Sequence, residues 1–491
     1  MDLSRKKPIE VLLAQAGEHG GLKRTLTAPG LIALGIGAII GAGLFVRTAS
    51  AAAQNAGPAV TLSFVIAAIG CAFAGLCYAE FAAMIPIAGS AYTYAYVTMG
   101  ELVAWIIGWA LILEYALGAA TVAIFWSQYL NRLIPGLVPW QWRHSPFESD
   151  NGVHGIMNIP ALVILLALTL LLIKGISESA TINAIIVAVK VAIVLVFIAV
   201  GWSFINPAFH TPMMIPANFD AAHADFFKHG WGGVVGGAGV VFFAFIGFDA
   251  VSTAAQETKN PGRDMPIGIL GSLVVCTILY VLFSFVLTGV APWTDFIKEG
   301  AEASVAYAID TYMHMHVLGT WVTVAILLGF SSVILVMLLG QSRVFYSMAH
   351  DGLLPKLFAD LHPKFCTPYK CNVVLFLFVG VFAAFIPGEV AGDLTSIGTL
   401  AAFVLVCIGV WIMRRTNPDQ PRPFRAPFVP LVPILGVLIC GGMVISLDHT
   451  TQLAAAFWML VGLGIYFLYA RKHSHLNSAL NVKVPVRSPQ A

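Results

Sequence analysis

Charged residues are scarce in this sequence, and their scarcity argues against a soluble protein. Asp, Glu, Lys and Arg together make up only 10% of the 491 residues, whereas hydrophobic types make up 59%. A soluble domain has about 25% charged residues. The formal net charge is only +2, so the chain has no strongly basic surface and we expect no nucleic-acid partner.

Motifs for ATP hydrolysis, metal binding and catalysis are absent too. The sequence has no GxxxxGK[ST] loop, which argues against ATP-driven transport. It has no CxxC pair and no Cys/His cluster for a metal ion, and we expect no cofactor. The seven cysteines fall in apolar spans or beside one inner loop, so no disulfide framework is expected. Because no His, Cys or carboxylate side chains cluster near an interface, we also expect no enzyme.

Long apolar runs are what the sequence has in abundance. Mean hydropathy is +0.86, and apolar stretches of about 20 residues, enough to cross a bilayer, recur throughout. They predict an all-α integral membrane protein with about 12 transmembrane helices, located in a plasma membrane, the inner membrane of a bacterium. The predicted spans are 29–53, 58–86, 102–131, 157–174, 179–205, 230–256, 266–290, 318–348, 372–387, 395–413, 427–446 and 453–470.

Basic residues are distributed unevenly between the two sides of these spans. If the N-terminus is cytoplasmic, 20 of the 26 Lys and Arg residues fall on the inner side, 4 in outer loops and 2 within spans. An excess of Lys and Arg marks the cytoplasmic side of a membrane protein. We therefore predict that both terminal segments, residues 1–28 and 471–491, are cytoplasmic.

The first span has an echo in the sixth span, displaced by 202 residues. The matching pairs are Gly35 with Gly237, Gly37 with Gly239, Ser50 with Ser252, and AAQ at 52–54 with AAQ at 254–256. Five spans separate the two copies, so the second copy would insert in the opposite orientation. Inverted repeats with helices interrupted at matching positions are typical of secondary transporters.

Small residues near the middle of both spans predict such interruptions. Gly41-Ala42-Gly43 lies near the middle of the first span, and Ala244 to Gly247 is the matching part of the sixth. A half-helix starting near Gly43 would direct its N–H groups and positive dipole end at a carboxylate. Carbonyl groups freed in the sixth span could accept the hydrogens of an α-ammonium group. The alternative is that the glycines only let helices pack closely, and the pattern alone does not decide.

A lysine stands in the middle of the fifth span. Lys190 lies 11 residues past Ser179 in the apolar segment INAIIVAVKVAIVLVFIAVGW. This is about 16 Å along a helix, too far for the amine to reach an interface. A charge at this depth is costly and marks a functional group by default. We interpret Lys190 as a proton-coupling residue that, while charged, would contact carbonyls near Gly41 in the first span; the alternative is a permanent ion pair with Glu114.

Other ionisable residues within the spans have less distinct roles. Glu114 lies about 12 residues into the third span and could line a pocket, neutralise Lys190 or be protonated. Glu80 and Asp249 are closer to helix ends, and we interpret both as structural. Arg47 follows the first predicted break and is placed toward an outer vestibule.

Four segments spread over most of the chain form a recognisable set. They are IGAIIGAGLFV in the first span, YAEFAAMIPIAGSAYTYAY at 78–96, FFAFIGFDAVSTAAQETKNPGRDMP at 242–266 and MAHDGLLPKLFADLHPKFCTP at 348–368. Together they resemble the amino acid–polyamine–organocation superfamily, and within it the cationic amino acid transporter subfamily. The resemblance implies a leucine-transporter-like 5+5 inverted repeat at 29–206 and 230–414, followed by two C-terminal helices at 427–470.

The same resemblance implies the residues of a substrate site. The residues implied to bind a carboxylate are Gly41, Ala42 and Gly43, and the carbonyls implied to bind an amine lie near Ile39, Phe243, Ala244 and Ile246. Phe243 matches an aromatic position that caps the substrate, and Phe330 would shape the side-chain pocket. Lys190 matches a fifth-helix lysine that replaces sodium in proton-coupled members. The hydroxyl groups implied to face this lysine are those of Ser331 and Ser332.

The implied pocket offers no clear partner for a cationic side chain. Phe330 is bulky and apolar, and Glu114 is the one mid-span acid outside the sixth span. We therefore expect proton-coupled symport of small or aliphatic L-amino acids, with protons and the lipid bilayer as the other partners. Uniport or exchange of arginine and lysine remains the alternative. A channel or receptor-like protein is disfavoured because no span has a continuous polar lining, and a small single-span partner or a sterol-like lipid is left open.

Overall fold

The computed structural model describes residues 5–7, 26–85, 90–150, 152–175, 180–297, 304–365 and 367–476, apart from the side chains of residues 90, 180–183, 253 and 256. Most of the predicted cytoplasmic termini, 1–28 and 471–491, lies outside the described residues. We call the two ends of the helix bundle inner and outer according to the predicted orientation.

Apolar helices dominate the described part of the chain. Eight are long and apolar enough to cross a membrane, and the shorter apolar helices are Ala28–Ile39, Ile159–Ile173, Tyr369–Phe385 and Leu431–Ser446. The chain is therefore a multi-pass membrane protein. One of the eight, Gly43–Met84, combines parts of two predicted spans, so the count of twelve stays a prediction.

The α-helices are numbered here in chain order. They are α1 Ala28–Ile39, α2 Thr48–Ala51, α3 Val60–Met84, α4 Ser90–Thr98, α5 Glu101–Leu111, α6 Gly118–Leu133, α7 Ile159–Ile173, α8 Ala180–Gly201, α9 Gly230–Val241, α10 Pro261–Val290, α11 Ser304–Tyr312, α12 His316–His350, α13 Tyr369–Phe385, α14 Gly388–Thr416, α15 Leu431–Ser446, α16 His449–Ile465 and α17 Arg471–His473. The π-helical turns are Gly43–Arg47, Ala52–Ala56, Ile112–Leu117 and Tyr466–Ala470. Two short strands, β1 Ser149–Asp150 and β2 Val153–His154, pair antiparallel in the loop before α7.

Local sequence signals explain where several helices begin. The Asn158 side chain accepts a hydrogen bond from the Ala161 amide (3.2 Å) at the start of α7, as an N-cap residue does. Pro261 is the first residue of α10, where its missing N–H has no consequence. Inside the membrane each helix hydrogen-bonds its own backbone N–H and C=O groups, so a helix with only apolar side chains is stable there.

Small residues bring α1 and α10 into close contact. A methyl group placed on Gly35 would lie 2.5 Å from the Ser272 hydroxyl oxygen, and one on Gly268 would lie 2.6 Å from Leu31 Cβ. Such close helix contacts are what small residues allow in membranes. The packing alternative for the glycines of the first span therefore holds at Gly35, six residues before Gly41, where the predicted break starts.

Helices α1 and α9 correspond in length and position. Each has twelve residues, and their starts, Ala28 and Gly230, and their ends, Ile39 and Val241, both differ by 202 positions. This is the offset of the sequence echo. The correspondence supports an internal repeat, whose inverted orientation stays a prediction.

Candidate functional site

The first span is broken near its middle, as predicted. Helix α1 ends at Ile39, and Ile40 takes an extended conformation (ψ 106°). The chain resumes as a π-helical turn at Gly43, and the amides of Leu44 and Phe45 both donate to the Gly41 carbonyl (3.2 and 3.4 Å). The predicted carboxylate-binding residues Gly41, Ala42 and Gly43 therefore occupy the start of a new half-helix.

The sixth span is broken at the matching place. Helix α9 ends at Val241 and continues as a tight 3-10 turn, Phe242–Phe245, before Ile246 becomes extended (ψ 136°). Gly247 has φ +110°, a conformation that favours glycine because it has no side chain. Phe243, Ala244 and Ile246 are all buried, so the residues predicted to bind an amine lie within this break.

The two breaks lie directly against each other. A methyl group placed on Gly43 would lie 2.5 Å from the Ala244 nitrogen, and one on Gly247 would lie 2.9 Å from the Ala38 carbonyl oxygen. The Tyr280 hydroxyl lies 3.0 Å from both the Ile39 and the Ala244 carbonyl oxygens and shares its single hydrogen between them. Two of the carbonyls predicted to bind an ammonium group thus converge on one point.

An aromatic wall stands beside the first break. Phe330 on α12 is fully buried, and its ring centre lies 6.2 Å from that of Phe45 and 5.6 Å from that of Tyr129. The Tyr129 hydroxyl donates to the Phe45 carbonyl (3.0 Å). Val333, one turn beyond Phe330, lies next to Gly41, where an added methyl group would be 3.2 Å from its Cγ2. The surroundings of the break on this side are apolar.

Lys190 reaches the first span from α8. Its side chain is buried, and Nζ donates to the Gly37 carbonyl at 2.8 Å. This carbonyl lies one helical turn before Gly41, the position near which the sequence places the contact. On the α12 side Gly329 makes room for the lysine, because a methyl group there would lie 2.9 Å from Lys190 Cε. Nearby on α12, Ser332 is buried and the Ser331 hydroxyl donates to the Leu327 carbonyl (2.9 Å).

Glu114 lies against a second carboxyl group. It is fully buried in the π-helical turn Ile112–Leu117, beside Asp249 and the Thr399 hydroxyl. Among the described residues, neither oxygen of Glu114 has a hydrogen-bond partner of ordinary geometry. Asp249 Oδ2 accepts a hydrogen bond from the Tyr115 hydroxyl (2.7 Å). Glu114 is therefore not hydrogen-bonded to Lys190, which argues against a direct ion pair between them.

Sequence reasoning interpreted Asp249 only as a structural residue. The structure brings it to Glu114, two residues beyond the positive-φ Gly247. The signal that could have found it is its place at the start of the half-helix after the break, where a buried carboxylate is favoured by the helix dipole.

On the outer side of the break, polar side chains connect the first and tenth spans. Arg47 is only 1% exposed and forms an ion pair with Asp393 on α14. The Ser50 hydroxyl and the Gln54 amide donate to Glu389 Oε1 (2.9 and 2.8 Å). Arg47, which the sequence places toward a vestibule, thus belongs to a contact between two helices.

Known permeases and transporters match this chain over most of its length. Residues 26–470 match the family model described as amino acid permease. A branched-chain amino acid permease, BcaP, of Bacillus subtilis is 44% identical over 96% of the chain and 98% of its own length. A methylthioribose transporter of the same organism is 42% identical over 97% and 99%. A vacuolar cationic amino acid transporter of Arabidopsis thaliana is 36% identical over 86% and 64%.

Proposed function

The chain belongs to the amino acid permease family, and we propose that it is a secondary active transporter that takes up small or aliphatic L-amino acids together with protons. The observation that carries this proposal is the convergence of the two broken helices, where Tyr280 joins the Ile39 and Ala244 carbonyls. Interrupted helices at matching positions of a repeat are where transporters of this type bind substrate.

The chemistry of the two breaks suits an amino acid backbone. The half-helix that starts at Gly43 has a positive dipole end, which favours a carboxylate. The carbonyls at Ile39 and Ala244 are acceptors, which suit an α-ammonium group that has only donors. Phe243, in the same break, would cover the bound molecule. A ligand should therefore need both a free carboxylate and a free amine.

The aromatic wall at Phe330 favours a short or aliphatic side chain. Phe330, Phe45 and Val333 present no polar atom to a guanidinium or ammonium group, and an unpaired buried charge is costly. One relative is named a branched-chain amino acid permease, whereas another is named a methylthioribose transporter. Methylthioribose has neither a carboxylate nor an amine, so family membership by itself does not define the substrate.

Lys190 is the group that would couple transport to protons. While protonated it donates a charged hydrogen bond to Gly37 and so ties α8 to the helix that leads into the break. A charged hydrogen bond contributes about 1.5–3 kcal/mol, a neutral one about 1 kcal/mol. Loss of the proton would weaken the tie and favour movement of the first span.

Uptake into proteoliposomes under an imposed pH gradient tests this mechanism. Uptake should rise with an inward proton gradient, fall when a protonophore is added, and ignore sodium. Lys190→Ala should abolish gradient-driven accumulation, and Lys190→Arg should do the same because arginine does not deprotonate in proteins. Lys174→Ala, at the exposed end of α7, is the matched control. Gradient-insensitive or sodium-dependent uptake by the wild-type protein would refute proton coupling.

A thermal-shift screen of the purified protein tests the substrate class, because ligands stabilise the state that they bind. Alanine and the branched-chain amino acids should raise the melting temperature, whereas their amides and N-acetyl derivatives should not. A response to arginine and lysine alone would instead favour the cationic uniporter or exchanger. A response to methylthioribose without one to amino acids would refute the proposed site chemistry.

A further inference from the structure

The loop between the fifth and sixth spans lies across the outer end of the first span. We call residues 206–229 the outer strap. The Asn55 side chain donates to the Phe227 carbonyl (2.9 Å), and the Ala59 amide donates to the Met213 carbonyl (2.8 Å). The strap therefore contacts the last turn of the half-helix that begins at the substrate break and the 3-10 turn Gly57–Ala59 that follows it.

A buried histidine makes the most specific of these contacts. His223 is 4% exposed, and the rings of Phe219 and Trp293 pack around it at centre distances of 5.4 and 6.2 Å. Its Nδ1 lies 2.6 Å from Asp220 Oδ1, and its Nε2 lies 3.0 Å from the Ala53 carbonyl oxygen. Ala53 belongs to the π-helical turn Ala52–Ala56 of the first span.

Both partners of the imidazole are hydrogen-bond acceptors. The Ala53 carbonyl cannot donate. The pKa of Asp220 lies below its ordinary value, first because of the hydrogen bond to His223, so its carboxylate is ionised and cannot donate either. A neutral imidazole has a single N–H, whereas the imidazolium ion has two. The observed pair of contacts is therefore satisfied only when His223 is protonated.

Few other charges surround this imidazole. The π-helical turn Ala52–Ala56 and the neighbouring α9 contain no ionisable residue. The outer strap itself adds His210, Asp225, Lys228 and His229, of which His229 directs Nδ1 to the His223 carbonyl (2.9 Å). On the short turn Trp293–Ile297, Asp295 accepts a hydrogen bond from the Tyr307 hydroxyl (3.2 Å). Asp220 is thus the carboxylate in direct contact with the ring.

We propose that the outer strap is a proton-sensitive clamp, in which protonated His223 fastens the strap to the outer half of the first span. Loss of that proton loosens the strap, because either neutral tautomer turns a ring-nitrogen lone pair toward an acceptor oxygen. The inference goes beyond the proposed function and does not depend on it, because it concerns docking of the strap and involves neither Lys190 nor a substrate. It makes the mobility of the first span depend on the pH of the outer solution.

Hydrogen–deuterium exchange of the full chain in nanodiscs tests the clamp without any transport measurement. Exchange rates, divided by the intrinsic rates at each pH, are measured for peptides covering 206–229 and 52–59. The two conditions are about pH 5.5 and about pH 8.5, on either side of the ordinary histidine pKa of about 6.5. Protection of both segments in the wild-type protein should fall about tenfold at the higher pH, the change expected when a charged hydrogen bond is lost.

Asp220→Asn gives the sharper result. An asparagine amide can donate to a neutral Nδ1 while Nε2–H donates to Ala53, and asparagine caps a helical turn as well as aspartate does. Protection in this variant should therefore stay high at both pH values. His210→Gln is the control within the strap, because partial burial lowers the pKa of His210 and so disfavours its protonation. This variant should respond to pH as the wild-type protein does.

Three results would overturn the proposal. The first is equal protection of the wild-type protein at both pH values. The second is an Asp220→Asn variant that loses protection at high pH as the wild type does. The third is a His223→Gln variant that keeps the wild-type pH dependence. If His223→Gln does not fold, the Asp220→Asn variant decides the matter by itself.

Discussion

Gly43 is the position where a single methyl group should do most damage to the proposed substrate site. On Gly43 that methyl group would lie 2.5 Å from the Ala244 nitrogen and 2.6 Å from the Ala244 Cβ. These atoms cannot rotate away, because they belong to the backbone or are fixed to it. To restore ordinary contact at 3.4 Å, the two broken helices would have to separate by about 1 Å.

The cost of this separation follows from the same geometry. Overpacking of this kind costs about 1–3 kcal/mol, and the Tyr280 hydroxyl could no longer reach both the Ile39 and Ala244 carbonyls at 3.0 Å. About 2 kcal/mol corresponds to roughly 30-fold in an equilibrium constant. We therefore expect Gly43→Ala to weaken amino acid binding roughly 30-fold while the protein still folds.

Gly41→Ala is the matched control two residues away. Its methyl group would lie 3.2 Å from Val333 Cγ2, a side-chain atom that can move by a few tenths of an ångström. Binding should therefore change less than about threefold. Both variants are purified, checked for a monodisperse size-exclusion profile, and titrated with the best amino acid from the thermal-shift screen. Wild-type affinity in Gly43→Ala, or an equal loss in Gly41→Ala, would refute the reasoning.

Three further predictions concern the surroundings of the site. Arg47→Ala leaves the carboxylate of Asp393 without its partner and should destabilise the fold by about 3–5 kcal/mol. The control Lys370→Ala removes an exposed ion pair with Asp360 and should cost less than about 1 kcal/mol. Equal melting temperatures of the two variants would contradict this. Glu80→Gln weakens the charged hydrogen bonds that Glu80 accepts from Arg414, at the end of α14. It should lower the free energy of unfolding by about 2 kcal/mol, measured by thermal unfolding. Phe330→Ser removes the aromatic wall and should admit longer side chains in a competition assay; an unchanged side-chain limit would show that Phe330 does not set it.

The sequence by itself determined the features that depend on neighbouring residues. Apolar runs predict membrane helices because the bilayer leaves the backbone no other partners. The small residues at Gly41 to Gly43 and at Ala244 to Gly247 indicated possible breaks. Close packing remained the alternative, and six glycines do fit inside the unbroken helix α9. The four motif segments identified the superfamily, and the match over residues 26–470 confirmed it.

Only the tertiary structure decided which polar groups meet. Successive side chains are rotated by about 100° around the axis of a helix. The sequence does not state how two helices are rotated or shifted against each other. Lys190 could therefore be placed in the membrane but not assigned to Gly37, one turn away from the expected carbonyl. For the same reason Asp249 could not be assigned to Glu114, nor Arg47 to Asp393, 346 residues further along the chain. These contacts depend on helix packing over long sequence separations, which local pattern does not encode.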